Sequence, residues 1–546
     1  MMVFSSLGSL LISPLAVLVG QQREMGRSLG GSVTSCFNAS GAKCGDCGET
    51  CQYCSAKGFG ANVPWFHLMD QFGCGENDPN GPVFDPVHGV IHHFYQSHVA
   101  RPGGAGPSYG HFASRDFVFW ANVPVALWNG VDYATNSSVD YDGKAIYTGS
   151  AAVVKGAAPD GVGKGVVQIY PGLCVASQWP SCKTGTVLAQ AVPAAYADDA
   201  LLEVWTKPSY NPVMNDTERD PSSPWKTPFG EWRMRTYNSK IYGAASDEAL
   251  LKGQWYEVGT DASLRQGECP SLFPLPRLTA GFDNITTPLP THVHKLSYSG
   301  KDWWQLGNYV DGPPGKVGVF EAADGWHDLF EPVLIDAGDF YASKDSDYPS
   351  LSGNKTRRVN WGWATVDPAA TQSLPREITF NPFARTLEQA PLAELTQLRS
   401  KDNISLPNGN TTLQVPSGHF EVVASFDINS SDTIVVTIGA CATCSLERQN
   451  NTLDVACGPF TDSLRLLPDL ETSIDLRIFA DSTFLEVYVQ RGRLAMTLKC
   501  DQHLDDDALV PVSLNHNASF HTFTAYTLGS IWVKPDQVRN APRLYY

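Results

Sequence analysis

The stretch His88-Gly-Val-Ile-His-His-Phe-Tyr95 shows the pattern that decides the fold. It is short, apolar or aromatic at most positions, and followed by turn-forming residues, which is typical of a β-strand. Asp116-Phe-Val-Phe-Trp120 has the same character, and similar segments, separated by Gly, Pro, Asn and Asp, continue along most of the chain beyond residue 60. Runs with helical spacing are scarce. The sequence therefore predicts an all-β protein.

Composition limits the classes of partner. The chain has 546 residues, enough for two or more structural units, and its 48 Gly and 37 Pro suit many strands joined by turns. The 39 basic and 56 acidic side chains give a formal charge of −17. Because such a chain repels polyanions, nucleic acid and anionic membrane surfaces are not expected partners.

The first 20 residues are apolar and are followed by a polar stretch from Gln21, which predicts a secretory signal at 1–20. No Lys or Arg precedes the apolar run and Pro14 interrupts it, so an uncleaved anchor is the alternative. Sequons for N-glycosylation fit a secreted glycoprotein, and a vacuolar or membrane-anchored location is the alternative. They are at Asn38, Asn136, Asn215, Asn284, Asn354, Asn403, Asn410, Asn429, Asn450 and Asn517.

The cysteines also indicate an oxidising compartment, as expected for a secreted protein. Five of the 13 lie in a Cys-rich extension at 21–60, and in an oxidising compartment they predict disulfide bonds. The pairs Cys44-x-x-Cys47 and Cys51-x-x-Cys54 also suggest zinc, but they stand closer together than in zinc ribbons. Other disulfide candidates are Cys74 with the Cys-rich extension, Cys174 with Cys182, and the group Cys441, Cys444, Cys457 and Cys500.

Three acidic segments are candidates for chemistry: Gly75-Glu-Asn-Asp-Pro-Asn-Gly81, Glu218-Arg-Asp-Pro221 and Gly267-Glu-Cys-Pro270. Taken singly, the first fits an ordinary turn and the second a surface ion pair. In this order, however, they resemble the motifs of glycoside hydrolase family 32, the β-fructofuranosidases that include invertases, inulinases and fructan exohydrolases. The resemblance covers about residues 61–500. Further matching segments are Gly110–Asp116, Tyr147–Ala151, Asp339–Lys344, Arg357–Trp363, Leu374–Ile378 and Arg477–Arg493.

The resemblance implies a five-bladed β-propeller at 61–385 that carries the active site, followed by a β-sandwich at 401–546. Between them, Pro391–Arg399 has helical spacing, and we interpret 386–400 as a linker. The strand-like segments after this linker, such as Glu421–Ile428 and Thr433–Ile438, have the spacing of a sandwich.

The resemblance also implies a retaining hydrolase that cleaves terminal β-D-fructofuranosyl linkages in sucrose or fructans. Such cleavage needs two carboxyl groups beside an oxocarbenium-like transition state. By resemblance Asp78 is the nucleophile, Asp220 stabilises the transition state, and Glu268 is the acid/base, with a pKa raised by neighbouring carboxylates and the apolar surroundings of Phe273. The expected substrate-binding residues are Asn77, Gln96, Tyr147, Thr148 and Arg219.

Other candidate ligands are given structural roles. Trp361 and Trp363 are either sugar-stacking surfaces or core, and core is favoured. His92 and His93 are adjacent on an apparent strand and so face opposite sides, which disfavours chelation. Neither a metal nor a cofactor is predicted, and the oligomeric state stays open.

Departures from the family pattern leave the substrate open between sucrose, inulin and levan. Gly75-Glu76 replaces the usual Trp-Met, which removes an aromatic wall and adds a carboxylate. The stretch Ser297–Lys301 keeps a Lys but lacks the Asp that plant invertases pair with it. A fructosyltransferase is an alternative, because transfer uses the same covalent intermediate. A non-catalytic carbohydrate-binding relative is a further alternative, which the presence of all three acids disfavours.

Overall fold

The computed structural model describes residues 64–70, 75–98, 107–174, 185–280, 288–323, 333–350, 356–366, 370–406, 411–427, 433–467, 469–505, 507–516 and 520–545. The predicted signal segment 1–20 and the Cys-rich extension 21–60 lie outside these ranges. Cys74 and Cys182 also lie outside them, whereas Cys174 is disulfide-bonded. No helix within the described ranges is long and apolar enough to span a membrane.

Five antiparallel sheets follow one another along the chain. The first has β1 (Glu76–Asp85), β2 (Val90–Ser97), β3 (Ser108–Ser114) and β4 (Trp120–Leu127), in that order. A ribbon of β5 (Val131–Asp132) and β6 (Ser137–Ser138) follows. The second sheet has β7 (Ala145–Ile146), β8 (Ser150–Lys155), β9 (Lys164–Cys174), β10 (Gly185–Pro193), β11 (Trp205–Thr206) and β12 (Met214–Thr217).

The third sheet has β13 (Trp225–Lys226), β14 (Trp232–Arg235), β15 (Lys240–Ala244) and β16 (Tyr256–Thr260), with α1 (Asp247–Leu251) between the last two. The fourth has β17 (Glu268–Pro274), β18 (His292–Tyr298), β19 (Lys301–Val310), β20 (Val319–Ala322) and β21 (Val333–Leu334). The fifth has β22 (Phe340–Pro349), β23 (Thr356–Ala364), β24 (Thr371–Gln372), β25 (Arg376–Asn381) and β26 (Thr386–Pro391).

Each of these sheets is hydrogen-bonded to the next, and the fifth is bonded back to the first. Apolar side chains fill the space between consecutive sheets, as where Phe94 of the first sheet meets Trp205 of the second with ring centroids 5.5 Å apart. The polar contacts are, in order, Gly81 N to Gly149 O at 3.2 Å, Ser150 Oγ to Pro221 O at 2.5 Å, Gly267 N to Tyr237 O at 3.1 Å, Lys295 Nζ to Ser343 O at 2.6 Å and Gln372 Nε2 to Asn77 O at 2.8 Å.

Two six-stranded antiparallel sheets follow. One has the order β27-β38-β29-β34-β35-β36 and the other β28-β37-β30-β31-β32-β33. Their strands are β27 (Arg399–Ser405), β28 (Thr412–Val415), β29 (His419–Phe426), β30 (Thr433–Ile438), β31 (Ala442–Gln449), β32 (Thr452–Cys457), β33 (Phe460–Arg465), β34 (Ile474–Asp481), β35 (Phe484–Val489), β36 (Leu494–Lys499), β37 (Val510–His516) and β38 (Phe520–Leu528).

The inner faces of these two sheets share one apolar core, which includes Phe420 and Val422 from one sheet and Ile434 and Val436 from the other. Alternate residues of β30 and β32 are buried, as expected for strands with one face on a core. The four candidate cysteines of this region form the disulfides Cys441–Cys500 and Cys444–Cys457.

The segment predicted to be a linker, 386–400, is instead structured. It contains β26, a 3₁₀ helix at Ala393–Leu398 and the start of β27. Leu395 and Leu398 of the 3₁₀ helix are buried. The helical spacing reflects this short turn, and burial of its leucines makes the connection part of the core. After β38, the chain packs against the first sheet, where Trp120 N donates to Ile531 O at 2.8 Å, and then forms α2 (Pro535–Asn540).

A buried ionic cluster joins the fifth sheet, the segment before β1 and the C-terminal sheets. We call it the interface cluster, and its members are His67, Arg376, His419, Asp481 and Glu486. The His67 ring bonds Asp481 Oδ2 at 2.6 Å and Glu486 Oε1 at 3.0 Å. Arg376 Nη2 donates to Glu486 Oε2 at 2.8 Å, and His419 Nδ1 bonds Asp481 Oδ1 at 2.6 Å. Basic side chains thus face carboxyl groups throughout this cluster.

Candidate active site

Asp78 is held by two polar side chains of neighbouring segments. It lies near the start of β1, and the Thr148 hydroxyl donates to its Oδ2. Gln96 of β2 donates from Nε2 to Thr148 Oγ1 at 2.6 Å and lies 3.5 Å from Asp78 Oδ2. Because Gln96 occupies the acceptor side of the Thr148 hydroxyl, the hydroxyl proton points at Asp78. One oxygen of the Asp78 carboxyl group is therefore fixed in position.

Cys269 connects the three predicted catalytic acids. Its backbone N–H donates to Asp220 Oδ2 at 3.3 Å, and its Sγ lies 3.6 Å from Asp78 Oδ2. Glu268 precedes it at the start of β17. Burial raises the pKa of the Cys269 thiol well above its usual range, so the thiol keeps its proton and can donate it in a hydrogen bond. Three acids that are distant in sequence therefore meet around one residue.

Arg219 and Tyr341 hold Glu268. Arg219 Nη2 donates to Glu268 Oε1 at 2.6 Å, and the Tyr341 hydroxyl donates to Oε2 at 2.5 Å. Arg219 Nε also lies 3.6 Å from Asp220 Oδ2, and its guanidinium lies 4.4 Å from the centroid of the Tyr237 ring. Both oxygens of Glu268 accept hydrogen bonds, so its carboxyl group is fixed in position.

Burial and the neighbouring carboxylates raise the pKa values of Asp78 and Asp220. Burial, with a smaller contribution from the Asp220 and Glu268 carboxylates, raises the pKa of Asp78 to about 7 against the opposing hydrogen bond from Thr148. Burial also raises the pKa of Asp220 to about 6, against the attraction of Arg219. Carboxyl groups held near neutral pKa values in one place are typical of catalytic sites.

The surroundings of Glu268 differ from those predicted. We expected an apolar wall around Phe273, but Phe273 packs against the Arg358 guanidinium, 4.1 Å from its ring centroid. The contacts of Glu268 itself are the two polar donors, Arg219 and Tyr341. Side chains along β17 alternate between its two faces, so a residue five positions away need not share the environment of Glu268.

The predicted substrate-binding residues gather at the same place. Gln96, Thr148 and Arg219 contact the acids as described. Tyr147 is half-buried, and the nearby charges of Arg219 and Asp220 act on the pKa of its phenol, which burial raises. Its neighbour Thr148 contacts Asp78, so Tyr147 is close to the three acids.

Asn77 lies in β1 beside Asp78 and has two polar partners. Its side-chain Oδ1 pairs with the His98 ring, and its backbone carbonyl accepts from Gln372 Nε2 at 2.8 Å. These partners fix the strand immediately before Asp78.

Glu76, which stands where the family has an apolar residue, faces the fifth sheet. Its Oε1 accepts from Gln372 Nε2 at 3.0 Å, and its side chain is buried. Burial raises the pKa of Glu76 well above its usual range, which favours the neutral carboxyl group. The added acid is buried against Gln372 of the fifth sheet.

Trp361 is a core residue, as favoured from the sequence. It is fully buried against His93, with ring centroids 5.0 Å apart, and against Tyr348 at 5.6 Å. Trp363 is also buried. His92 pairs with His111 rather than with His93, and the described residues include no group of three His, Cys, Asp or Glu arranged to hold a metal ion.

Lys301, the lysine retained from the invertase pair, does not reach the acids. Its Nζ donates to Ala337 O at 2.7 Å and to Gly338 O, and it lies 4.8 Å from the centroid of the Phe460 ring. Lys301 therefore links the fourth sheet to the C-terminal sheets.

Tyr341 is the site residue that sequence reasoning missed. It lies within Asp339–Lys344, a segment that the family motifs include, and this was the available signal. Its contact with Glu268 depends on the fifth sheet lying beside the fourth, which local sequence does not reveal.

Comparison with protein families and known proteins supports the motif assignment. The model for the Glycosyl hydrolases family 32 N-terminal domain matches residues 74–391. Insoluble β-fructofuranosidase isoenzyme CWINV6 of Arabidopsis thaliana is 29% identical over 357 residues, covering 60% of this chain and 58% of the relative. The fructan 6-exohydrolase of Triticum aestivum is 28% identical over 369 residues, which cover 61% of this chain and 57% of the relative. The matches thus span less than two thirds of these relatives.

Solved structures share the fold. Fructan 1-exohydrolase IIa of Cichorium intybus superposes with a TM-score of 0.67 at 20% identity, covering 87% of this chain and 99% of the other. The exo-inulinase of Aspergillus awamori has a TM-score of 0.63 at 20% identity, and the match covers 87% of this chain and 100% of the exo-inulinase.

Proposed function

Because the chain belongs to glycoside hydrolase family 32, we propose that it is a retaining hydrolase that releases terminal β-D-fructofuranosyl units from sucrose or fructans. The observation that carries this proposal is the meeting of Asp78, Asp220 and Glu268 around Cys269. Two carboxyl groups flanking one bond are the chemical requirement for retaining glycoside cleavage.

In the first step, Glu268 donates a proton to the glycosidic oxygen as the bond from this oxygen to the fructosyl anomeric carbon breaks. An Asp78 oxygen attacks the same carbon and forms a covalent fructosyl ester. Thr148 and Gln96 support this step because they hold the Asp78 carboxyl group in place. Asp220 accepts hydrogen bonds from the fructose hydroxyls and stabilises positive charge on the ring.

In the second step, Glu268 removes a proton from water, and the resulting hydroxide attacks the anomeric carbon. The ester bond breaks, fructose leaves, and Asp78 returns to the carboxylate. Glu268 is an acid in one step and a base in the other. The groups bonded to its two oxygens, Arg219 and Tyr341, hold the Glu268 carboxyl group in position for both steps.

The first five sheets are proposed to be the blades of a five-bladed propeller, with the last two sheets forming a sandwich. The hydrogen bonds that join each sheet to the next, and the fifth to the first, support a closed ring. A ring brings the first strands of its sheets to one axis. This explains how Asp78 in β1 and Glu268 in β17 can share a site.

The substrate is proposed to be a fructan in preference to sucrose. Lys301 is bonded to backbone carbonyls and not to the acids, and Gly75-Glu76 stands in place of the usual Trp-Met, so the chain lacks two features of the invertase pattern near the site. A variant of fructan 1-exohydrolase IIa from Cichorium intybus, a structural neighbour, has been solved in complex with 1-kestose.

The test is to incubate the protein separately with sucrose, inulin and levan and to identify the products by chromatography. Release of free fructose, fastest from a fructan, is expected. Longer oligomers instead of fructose would indicate fructosyl transfer. No release from any of the three by the folded protein would contradict the proposal.

Secretion with N-glycosylation is also proposed. The sequons at Asn136, Asn215, Asn403 and Asn450 are all exposed, and two disulfides link the C-terminal strands. Expression in eukaryotic cells, followed by deglycosylation and peptide mass mapping, should locate glycans at these four positions. Unmodified peptides from secreted protein would contradict this.

A further inference from the structure

Two buried lysines lie behind the three acids, and the mechanism above gives them no role. They are Lys295 in β18 and Lys344 in β22, with exposed fractions of 1% and 2%. Burying an ammonium group is costly in an apolar core, and an apolar side chain of similar length would fill the space at lower cost. Their position therefore calls for a specific explanation.

Lys344 holds the backbone next to Asp220. Its Nζ donates to Pro221 O, the carbonyl of the following residue, at 2.9 Å. Ser150 Oγ donates to the same carbonyl at 2.5 Å and lies 3.5 Å from Lys344 Nζ. The Lys344 charge also counteracts the rise in the pKa of Asp220 that burial causes.

Lys295 does the same next to Glu268. Its Nζ donates to Cys269 O, the carbonyl after Glu268, at 3.3 Å, and to Ser343 O at 2.6 Å. Asp302 lies 3.9 Å from this ammonium group, and its Oδ2 accepts from Ser343 N at 2.7 Å. Lys295 therefore connects the segment after Glu268 to the fifth sheet.

The two anchored segments have unusual backbones. Asp220 has φ 60° and Cys269 has φ 44°, and this left-handed conformation is unfavourable for residues other than glycine. Such conformations persist only where surrounding contacts fix them. In both cases a lysine ammonium bonds the carbonyl at, or directly after, the left-handed residue.

We propose that Lys344 and Lys295 are positioning residues that hold Asp220 and Glu268 in their reactive geometry by anchoring the backbone carbonyls of Pro221 and Cys269. The proposal rests on the fructosyl hydrolase activity proposed above. Neither lysine touches substrate. Each acts through a strained backbone segment that carries an acid.

The experiment compares Lys344→Met and Lys295→Met with the matched control Lys207→Met. Lys207 is also buried and donates to a carbonyl, Trp128 O, at 2.7 Å, but its ammonium pairs with Asp142, in the turn before β7. A merely structural role predicts the same result for all three. Because a misplacement of about 1 Å can reduce the rate about 10²-fold, the first two should lose about 10²-fold in kcat with KM nearly unchanged. The control should keep its kcat.

The pH dependence of kcat/KM supplies a second measurement, which a loss of stability alone would not change. The charged groups around Asp220 are Arg219 from its own loop, Glu268 from β17, Asp78 from β1 and Lys344 from β22. Removing the Lys344 charge should shift the acid limb of kcat/KM to higher pH by about one unit. Lys344→Arg, which keeps the charge, should restore the limb.

If the Met variants do not fold, Lys344→Arg and Ser150→Ala supply the test, since each alters the anchor of Pro221 O without burying a new apolar chain. Wild-type kcat and pH profile in folded Lys344→Met would overturn the inference, and so would wild-type kcat in both substitutes, Lys344→Arg and Ser150→Ala. An inactive wild-type protein would instead refute the proposed function.

Discussion

Two clusters of acids are buried in this molecule, and they respond to burial in opposite ways. At the candidate active site, burial and like charges raise the pKa of Asp78 to about 7 and of Asp220 to about 6. In the interface cluster, the bonds from His67 and His419 lower the pKa of Asp481 despite its burial, and Arg376 and His67 lower that of Glu486 to about 2.

The difference lies in the partners. Asp481 accepts from two imidazole rings and also from the backbone N–H groups of Trp65, at 2.7 Å, and Phe66, at 3.1 Å. His67 bonds a carboxylate through each ring nitrogen, so both nitrogens carry protons and the ring is charged. The active site instead brings acids close to one another. One cluster stabilises the fold, whereas the other holds charge that a reaction can use.

The largest expected effect is on the active-site side of this comparison. Asp78→Asn should reduce kcat on every fructoside by at least about 10⁴-fold, because an amide cannot form the covalent ester. At neutral pH it should leave thermal stability unchanged or slightly higher, since it removes a destabilised charge. Activity assays with calorimetry check both parts. Loss of folding together with loss of activity would mean that Asp78 is structural.

In the interface cluster, a substitution should reduce stability and leave activity nearly unchanged. Asp481→Asn leaves His67 and His419 with one charged partner fewer in a buried place, which should lower the free energy of unfolding by about 3–5 kcal/mol. The kcat per folded molecule should stay within about twofold of the wild type. Urea unfolding and active-site titration measure the two quantities. A stable variant with reduced kcat would remove the distinction between the clusters.

The smallest expected effect concerns the pH dependence of stability. The folded-state pKa of Asp78 is raised, so folded protein binds more protons than unfolded protein between about pH 4 and 7, and stability falls as pH rises through this range. The folded-state pKa of Asp481 is lowered, so its contribution is present above its unfolded pKa and is lost as pH falls through the folded pKa.

Asp78→Asn should therefore become more stable relative to the wild type, by about 3 kcal/mol, between pH 4.5 and 7.5. Over the same range, the deficit of Asp481→Asn should stay nearly constant. Denaturant unfolding at several pH values tests this. Parallel curves for Asp78→Asn and the wild type would show that Asp78 has an ordinary pKa in the folded protein.

Local sequence predicts the strands and the three acids of the candidate active site, but not all of the contacts around those acids. Alternating apolar residues predict strands because a strand has two faces, and the three acidic segments carry family motifs. The contacts of Tyr341, Lys344 and Lys295 could not be found this way, since they form only when separate sheets lie side by side. The sequence showed that Lys301 is kept without its usual Asp partner, but not that its long side chain bonds the carbonyls of Ala337 and Gly338.

The linker shows a second limit. Residues 386–400 were predicted to be a linker because Pro391–Arg399 has helical spacing. Instead, β26 pairs with β25 through hydrogen bonds that depend on register and not on composition. The burial of Glu76 was equally unpredictable, because its partner Gln372 lies in the fifth sheet.

The central claim is that Asp78 becomes covalently bonded to fructose while Glu268 moves the proton. The most direct measurement uses Glu268→Gln with an activated fructoside whose leaving group needs no proton. The amide removes acid catalysis, a loss on the order of 10²–10⁴-fold for natural substrates, but spares release of the activated group. Rapid-quench kinetics should show a burst of leaving group followed by slow turnover, and intact-protein mass spectrometry should show one added fructosyl group that maps to Asp78. A variant equally inactive on this substrate, or a label on any residue other than Asp78, would contradict the claim.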